Sequence, residues 1–131
     1  MTTDYYLSYD LVNEEIMFTN NADELISPAS LTKLMTALLI VDSYNLGDLI
    51  EINFPDEYVY EGKVAYLESG QQMTVESLLE FILIYSANDA CIAASMIVSG
   101  DVDKFINLMN NKAIKLGMNN TNFNNPDGLD A

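Results

Sequence analysis

The apolar positions change period several times along the chain, and each change marks an element. Residues 5–11, Tyr-Tyr-Leu-Ser-Tyr-Asp-Leu, mix Tyr and Leu with small polar residues, and Ile16-Met17-Phe18-Thr19 follows the polar Asn13-Glu14-Glu15. That pattern predicts two strands joined by a tight turn. Asn20 to Glu24 reads as loop, closed by Pro28. From Ser30, the residues Leu31, Leu34, Met35, Leu38 and Leu39 recur at helical spacing, and Gly47 is the natural stop. Pro55, Gly62 and Gly70 break residues 48–73 into short apolar pieces, Leu49-Ile50 and Val64-Ala65-Tyr66-Leu67, which predict short strands and turns. Thr74 is placed to cap a second helix carrying Val75, Leu78, Leu79, Ile82 and Leu83, with Glu76 in its first turn and an end near Tyr85. A third helix, from about Asn88 to Val98, is apolar nearly all round and so is expected to be buried on most sides, with Gly100 stopping it. Asp101 caps a fourth, with Phe105, Ile106, Met109, Ala113 and Leu116 inward, Lys112 and Lys115 in its last turn and Gly117 at the exit. Met118 to Ala131 reads as irregular loop.

Composition narrows the chemistry. Among 131 residues, 20 Asp+Glu face 5 Lys+Arg for a formal charge of −15, and there is no histidine. All five cations are lysines: Lys33, Lys63, Lys104, Lys112 and Lys115. Without His there is no Ser-His-Asp or Cys-His system and no imidazole metal site. Without Arg there is no bidentate clamp for phosphate or carboxylate. The negative field argues against nucleic acid and anionic membrane surfaces as partners. A hydrophobic content of 50% nevertheless marks a chain that folds, as one domain over residues 1–131 at this length. Cys91 has no internal disulfide partner and is expected as a small core residue, and the seven methionines as core filler on helix faces. No stretch approaches the roughly 20 apolar residues of a membrane span. The start Met-Thr-Thr-Asp-Tyr-Tyr has no basic region or apolar run of an export signal, so the expectation is either a cytosolic protein or a piece lacking that signal.

With lysine as the only nitrogen base, the question is which Lys has a nucleophile one helical turn away. Ser30-Leu31-Thr32-Lys33 qualifies, because residues i and i+3 share a helix face. Ser30 also lies at a helix start, where free N–H groups and the positive dipole end stabilise an oxyanion. The pattern alone is weak, since nine serines and five lysines produce about a third of one S-x-x-K by chance. A Ser-x-Asn element is the second part of such a system, and two occur, Ser43-Tyr44-Asn45 and Ser86-Ala87-Asn88. The first reads as ordinary punctuation at the end of the first helix. The second occupies a short corner between two strongly apolar helices, where polar side chains can be held toward a cleft.

Three segments together resemble the serine D-alanyl-D-alanine carboxypeptidases, the low-molecular-mass penicillin-binding proteins. They are Ser27-Pro28-Ala29-Ser30-Leu31-Thr32-Lys33-Leu34-Met35-Thr36-Ala37, then Tyr85-Ser86-Ala87-Asn88-Asp89-Ala90, then Leu116 to Phe123 with Asn125-Pro126-Asp127-Gly128-Leu129-Asp130. The resemblance covers essentially the whole chain. It implies an α+β, β-lactamase/penicillin-binding transpeptidase-like fold with helices packed on an antiparallel sheet. It also implies an acyl-enzyme mechanism without cofactor or metal, in which Ser30 attacks the penultimate D-Ala carbonyl of a peptidoglycan stem peptide and Lys33 takes its proton. Ser86 would relay a proton to the leaving D-Ala, and Asn88 would hold the substrate backbone and position Lys33. Stem peptides ending in D-Ala-D-Ala are the implied substrate, β-lactams the implied covalent inhibitors, and the bacterial cell envelope the implied location.

One element of that pattern is missing. The family places Lys-Thr-Gly on a strand lining the opposite wall of the cleft, and none of the five lysines is followed by Thr-Gly. Lys63 lies in Glu61-Gly62-Lys63-Val64-Ala65-Tyr66-Leu67, which resembles the family stretch between the first two motifs. The expectation is therefore the amino-terminal part of a carboxypeptidase domain, lacking the receptor for the substrate's terminal carboxylate and one oxyanion donor. Loss of one such donor costs on the order of 3–4 kcal/mol of transition-state stabilisation, so the chain alone is expected to release D-Ala very slowly or not at all. Two alternatives stand beside this: a class A-type β-lactamase, disfavoured by Ala87 where Asp is usual, and a non-catalytic fragment that binds wall peptide or a complementing chain with the missing strand. Asp101 and Asp103 read as a capped helix start. Asn125-Pro126-Asp127-Gly128 is rejected as a calcium loop because Phe123 occupies the first ligand position.

Overall fold

The computed structural model describes residues 3–129; Met1, Thr2, Asp130 and Ala131, and with them the start of the chain and the last residue of the Asn-Pro-Asp-Gly-Leu-Asp motif, lie outside them. The chain opens with an antiparallel hairpin of β1 (Tyr6–Asp10) and β2 (Glu15–Asn20), paired from Tyr6↔Asn20 to Asp10↔Glu15 with a bulge between Ser8 and Tyr9. Asp10 closes its turn by accepting the Val12 and Asn13 N–H groups and the Asn13 side-chain amide. Those bonds, the Asn13 side chain foremost, hold its carboxyl below the usual range. Among the described residues nothing covers this hairpin: Leu7, Ile16, Met17 and Phe18 are each more than half exposed.

The helices form the body of the molecule. A short 3₁₀ turn at Ala29–Leu31 leads into α1 (Thr32–Ser43), so the predicted helix begins as a tighter turn containing Ser30. α2 (Val75–Glu80) is capped as expected by Thr74, whose hydroxyl accepts from the Ser77 N–H at 3.2 Å. It then widens into a π-helical turn over Phe81–Tyr85. α3 spans Asn88–Ser99 and ends at Gly100 in the left-handed conformation. α4 spans Val102–Lys115, with the Asp101 carboxylate accepting from the Lys104 N–H at 2.8 Å. Lys112 in its last turn pairs with Asp42 of α1 at 2.8 Å.

A second small sheet, β3 (Leu49–Glu51) and β4 (Gln72–Thr74), pairs antiparallel in front of α2. The sequence pattern missed β4, because a three-residue strand has no period to show. The predicted strand at Val64–Leu67 does not join a ladder among the described residues; its backbone is taken up by a side chain, described below.

Two apolar clusters flank α1. One joins Ala37 and Ile40 to Ile50, Ile52, Val75, Leu78, Ile82 and the small face of α3, Ala90, Cys91, Ala93 and Ala94. The other joins Met35 and Leu39 to Phe105, Met109, Ala113 and Phe123. α3 is buried on most sides, as its all-round apolar pattern predicted. Cys91 is fully buried, and burial pushes its thiol well above the ordinary range. Met35 and Met109 fill the core, whereas Met17 and Met118 are exposed, so the methionines are core filler only in part.

Candidate active site

Pro28 delivers the chain into Ala29, which takes a positive φ of 48° as the first residue of the 3₁₀ turn carrying Ser30. A non-glycine residue there is strained, and such strain persists only where surrounding structure enforces it. The enforcing element is the turn at Asn125–Leu129. Gly128 lies so close that a Cβ on it would meet the Ala29 carbonyl oxygen at 1.9 Å, and its own φ is +77°. Only glycine fits both demands. Asn125 ties the turn by accepting the Gly128 N–H at 2.6 Å and donating to the Leu129 carbonyl at 2.8 Å. Thr36 on α1 anchors it from below, its hydroxyl donating to the Pro126 carbonyl at 2.5 Å.

Lys33 is 3% exposed. Its Nζ donates to the Asp127 carbonyl at 2.7 Å and to Ser30 Oγ at 3.4 Å. The Asp127 side chain is also buried, and burial raises its carboxyl above the ordinary range, opposed by the Leu129 N–H and by the charge of Lys33.

Ser86 arrives from the other side. The π-helical turn ends on it with φ 63° and ψ 40°, and the Ala87 N–H closes the wide turn onto the Phe81 carbonyl at 2.9 Å. Such π-turns recur where a helix must re-aim a residue. Here the hydroxyl of Ser86 reaches Ser30 Oγ at 3.4 Å. A cavity of about 330 Å³ opens over these groups, its apolar walls supplied by Leu31, Leu34, Ile82 and Leu83.

The fold thus brings Ser30, Lys33 and Ser86 together across one cleft. Asn88 begins α3 beside them, but its amide Nδ2 donates to the Glu61 carbonyl at 3.1 Å, and the Lys33 amine takes the Asp127 carbonyl as its second partner. The competing Ser43-Tyr44-Asn45 lies at the far end of α1, where Ser43 bonds the Leu39 carbonyl, Tyr44 the Ile97 carbonyl and Asn45 the Asp48 carboxylate. Lys63 seats its ammonium 4.6 Å from the centroid of the Tyr85 ring. Sequence reasoning missed the Asp127 carbonyl and Gly128 as site elements. The Pro-Asp-Gly tripeptide was the available signal, since it marks a rigid turn that needs a neighbour to pack on.

Chemically, a hydroxyl within reach of a buried amine and a second hydroxyl, at the start of a helix, suits nucleophilic acyl transfer. A family model described as D-alanyl-D-alanine carboxypeptidase, Peptidase S11, matches residues 1–131. The chain belongs to this family. Among its relatives is the D-alanyl-D-alanine carboxypeptidase DacF of Bacillus subtilis, 38% identical over 122 residues that cover 88% of this chain and 31% of that protein. DacC of Escherichia coli is 35% identical over 136 residues, 96% of this chain and 34% of that protein. The solved structure of the carboxypeptidase DacD from Francisella tularensis superposes with a TM-score of 0.89 at 31% identity, covering all of this chain and 33% of that one. Penicillin-binding protein D2 from Listeria monocytogenes, solved with cefotaxime bound, superposes at 0.77 with 30% identity, over 98% of this chain and 53% of that one. The fold is therefore that of the penicillin-binding carboxypeptidases, an α+β arrangement with helices against small antiparallel sheets. The chain spans about a third of the length of the curated carboxypeptidases it matches.

Proposed function

We propose that these residues form the amino-terminal part of a D-Ala-D-Ala carboxypeptidase domain and carry the nucleophile side of its site. The observation that supports this most directly is the meeting of Ser30 Oγ with Lys33 Nζ and Ser86 Oγ, each at 3.4 Å, with the amine fixed by a 2.7 Å bond to the Asp127 carbonyl. Ser30 attacks the carbonyl of the penultimate D-Ala, forming the acyl-enzyme and a tetrahedral oxyanion on the way. Lys33 accepts the hydroxyl proton, and Ser86 passes a proton to the departing D-Ala amine. Water then hydrolyses the ester and returns Ser30. Asn88 takes the substrate backbone. The substrate is a peptidoglycan stem peptide in the cell envelope, and a β-lactam acylates the same serine; among the described residues no helix is long and apolar enough to cross a membrane.

Incubation with a fluorescent penicillin, followed by mass spectrometry of the intact chain and its peptides, tests the proposal. The expected result is one adduct per chain, on Ser30, formed at least about a hundredfold more slowly in Lys33→Ala, since general base catalysis contributes on that scale. No adduct on Ser30, or unchanged acylation without Lys33, overturns it. Release of D-Ala from a pentapeptide by these 131 residues alone is expected to be very slow, because no Lys-Thr-Gly is present to receive the terminal carboxylate. Ordinary turnover refutes that part.

A further inference from the structure

We propose that Asp89 is a positioning residue for Asn88, acting through the segment 61–67, whose carbonyls hold Asn88. This inference rests on the proposed role of Asn88 as the substrate-binding amide.

Asp89 lies in the first turn of α3 and is completely buried. A carboxylate taken out of water must find strong partners. This one finds two, and both belong to one loop: Oδ1 accepts the Ala65 N–H and Oδ2 accepts the Leu67 N–H, each at 2.9 Å. Two oxygens gripping the N–H groups on either side of Tyr66 tie this loop to the first turn of α3 at two points. The residue between the two grips, Tyr66, is held at a φ of +57°, a conformation that a tyrosine keeps only under external constraint.

The gripped segment is in turn the surface on which Asn88 rests. The Lys63 carbonyl accepts the Asn88 backbone N–H at 2.7 Å, and the Glu61 carbonyl accepts Nδ2 at 3.1 Å. Between those carbonyls, Gly62 lets the amide lie flat: a Cβ there would stand 2.5 Å from Nδ2. Meeting a carbonyl fixes the NH₂ end of the Asn88 amide toward the loop, and so fixes which end is left for a ligand. Asp89 thus holds the loop, and the loop holds the amide. A role confined to starting α3 would not need both oxygens committed to one loop 22 and 24 residues upstream.

The test uses the ¹⁵N-labelled chain as wild type, Asp89→Asn and Gly62→Ala. In Asp89→Asn an NH₂ group faces a backbone N–H. The expected result is at least tenfold faster hydrogen exchange at Ala65 or Leu67, a shifted and less protected Asn88 side-chain amide signal, and at least tenfold slower penicillin adduct formation on Ser30, with amide protection in α1 and α4 unchanged. Gly62→Ala is expected to move the Asn88 signal and slow the adduct while Ala65 and Leu67 stay protected. An Asn88 side-chain signal that Asp89→Asn leaves unmoved overturns the proposal. So does loss of the fold, or an equal loss of protection across α1 and α4, in Asp89→Asn, since Asp89 then serves the fold alone. Failure of the carboxypeptidase reading is recognised separately, as a wild-type chain that forms no adduct on Ser30 while its Asn88 signal behaves as described.

Discussion

Lys33 meets the backbone carbonyl of Asp127 at 2.7 Å, and Asp127 as a residue is only 8% exposed. The two halves of Asp127 therefore act in opposite directions. Its carbonyl orients the amine, whereas its side chain carries a desolvation cost when ionised, which is why its carboxyl titrates above the ordinary range. A carboxyl whose folded pKa is raised favours the fold below its unfolded value, near 3.9, and that contribution is lost as pH rises through the folded value. Asp127→Asn keeps the carbonyl and an oxygen for the Leu129 N–H. It is expected to raise the melting temperature at pH 7, with a gain that shrinks toward pH 4, as thermal unfolding across that range will show. Ser30-x-x-Lys33 and Ser86-x-Asn88 were legible as residue patterns because their spacing is local. The positive φ values of Ala29 and Ser86 were not, since neither is glycine and only contacts made from elsewhere hold them there.

The element that aims the site is the helix from Val75 to Tyr85, regular over its first half and π-helical over its second. Its cap and its apolar stripe were visible in the sequence, and its approximate end too. The widened turn was not, because Leu79, Ile82 and Leu83 satisfy an ordinary helical period equally well; the switch follows from seating Ile82 in the core while carrying Ser86 to the cleft. Ile82 is completely buried and also lines the cavity over Ser30. Ile82→Ala is expected to lower stability by about 2–5 kcal/mol, the range for deleting a large aliphatic side chain from a packed core, measured by urea unfolding at equilibrium. A loss below about 1 kcal/mol would mean that Ile82 is not packed in the core as described. The segment Val64–Leu67 shows the converse: its short apolar run suggested a strand, but its amides are taken by the Asp89 carboxylate, a partner 22 or more residues away that no local pattern announces.

Across the whole molecule, burial is concentrated on the two sides of α1, and the β1–β2 hairpin stands apart from both clusters. A two-stranded hairpin without a covered face is marginal in water. Its amides are accordingly expected to exchange at least about tenfold faster than those of α1 and α3, measured by hydrogen–deuterium exchange; equal protection would show that the hairpin shares the cooperative unit of the helices. The sequence by itself determined the four helices, the caps Thr74 and Asp101, the hairpin and a short list of chemistry. Period, capping and composition act over a few residues, and a chain with no His and no Arg leaves lysine as its nitrogen base. Only the tertiary structure decided which Ser-x-Asn faces Ser30, that Lys33 is held by a carbonyl 94 residues away, and that Gly128 must remain small for the strained turn at Ala29 to exist. Those are contacts between distant segments, set by how closely the elements pack, and close packing is a property of the assembled core rather than of any stretch of chain.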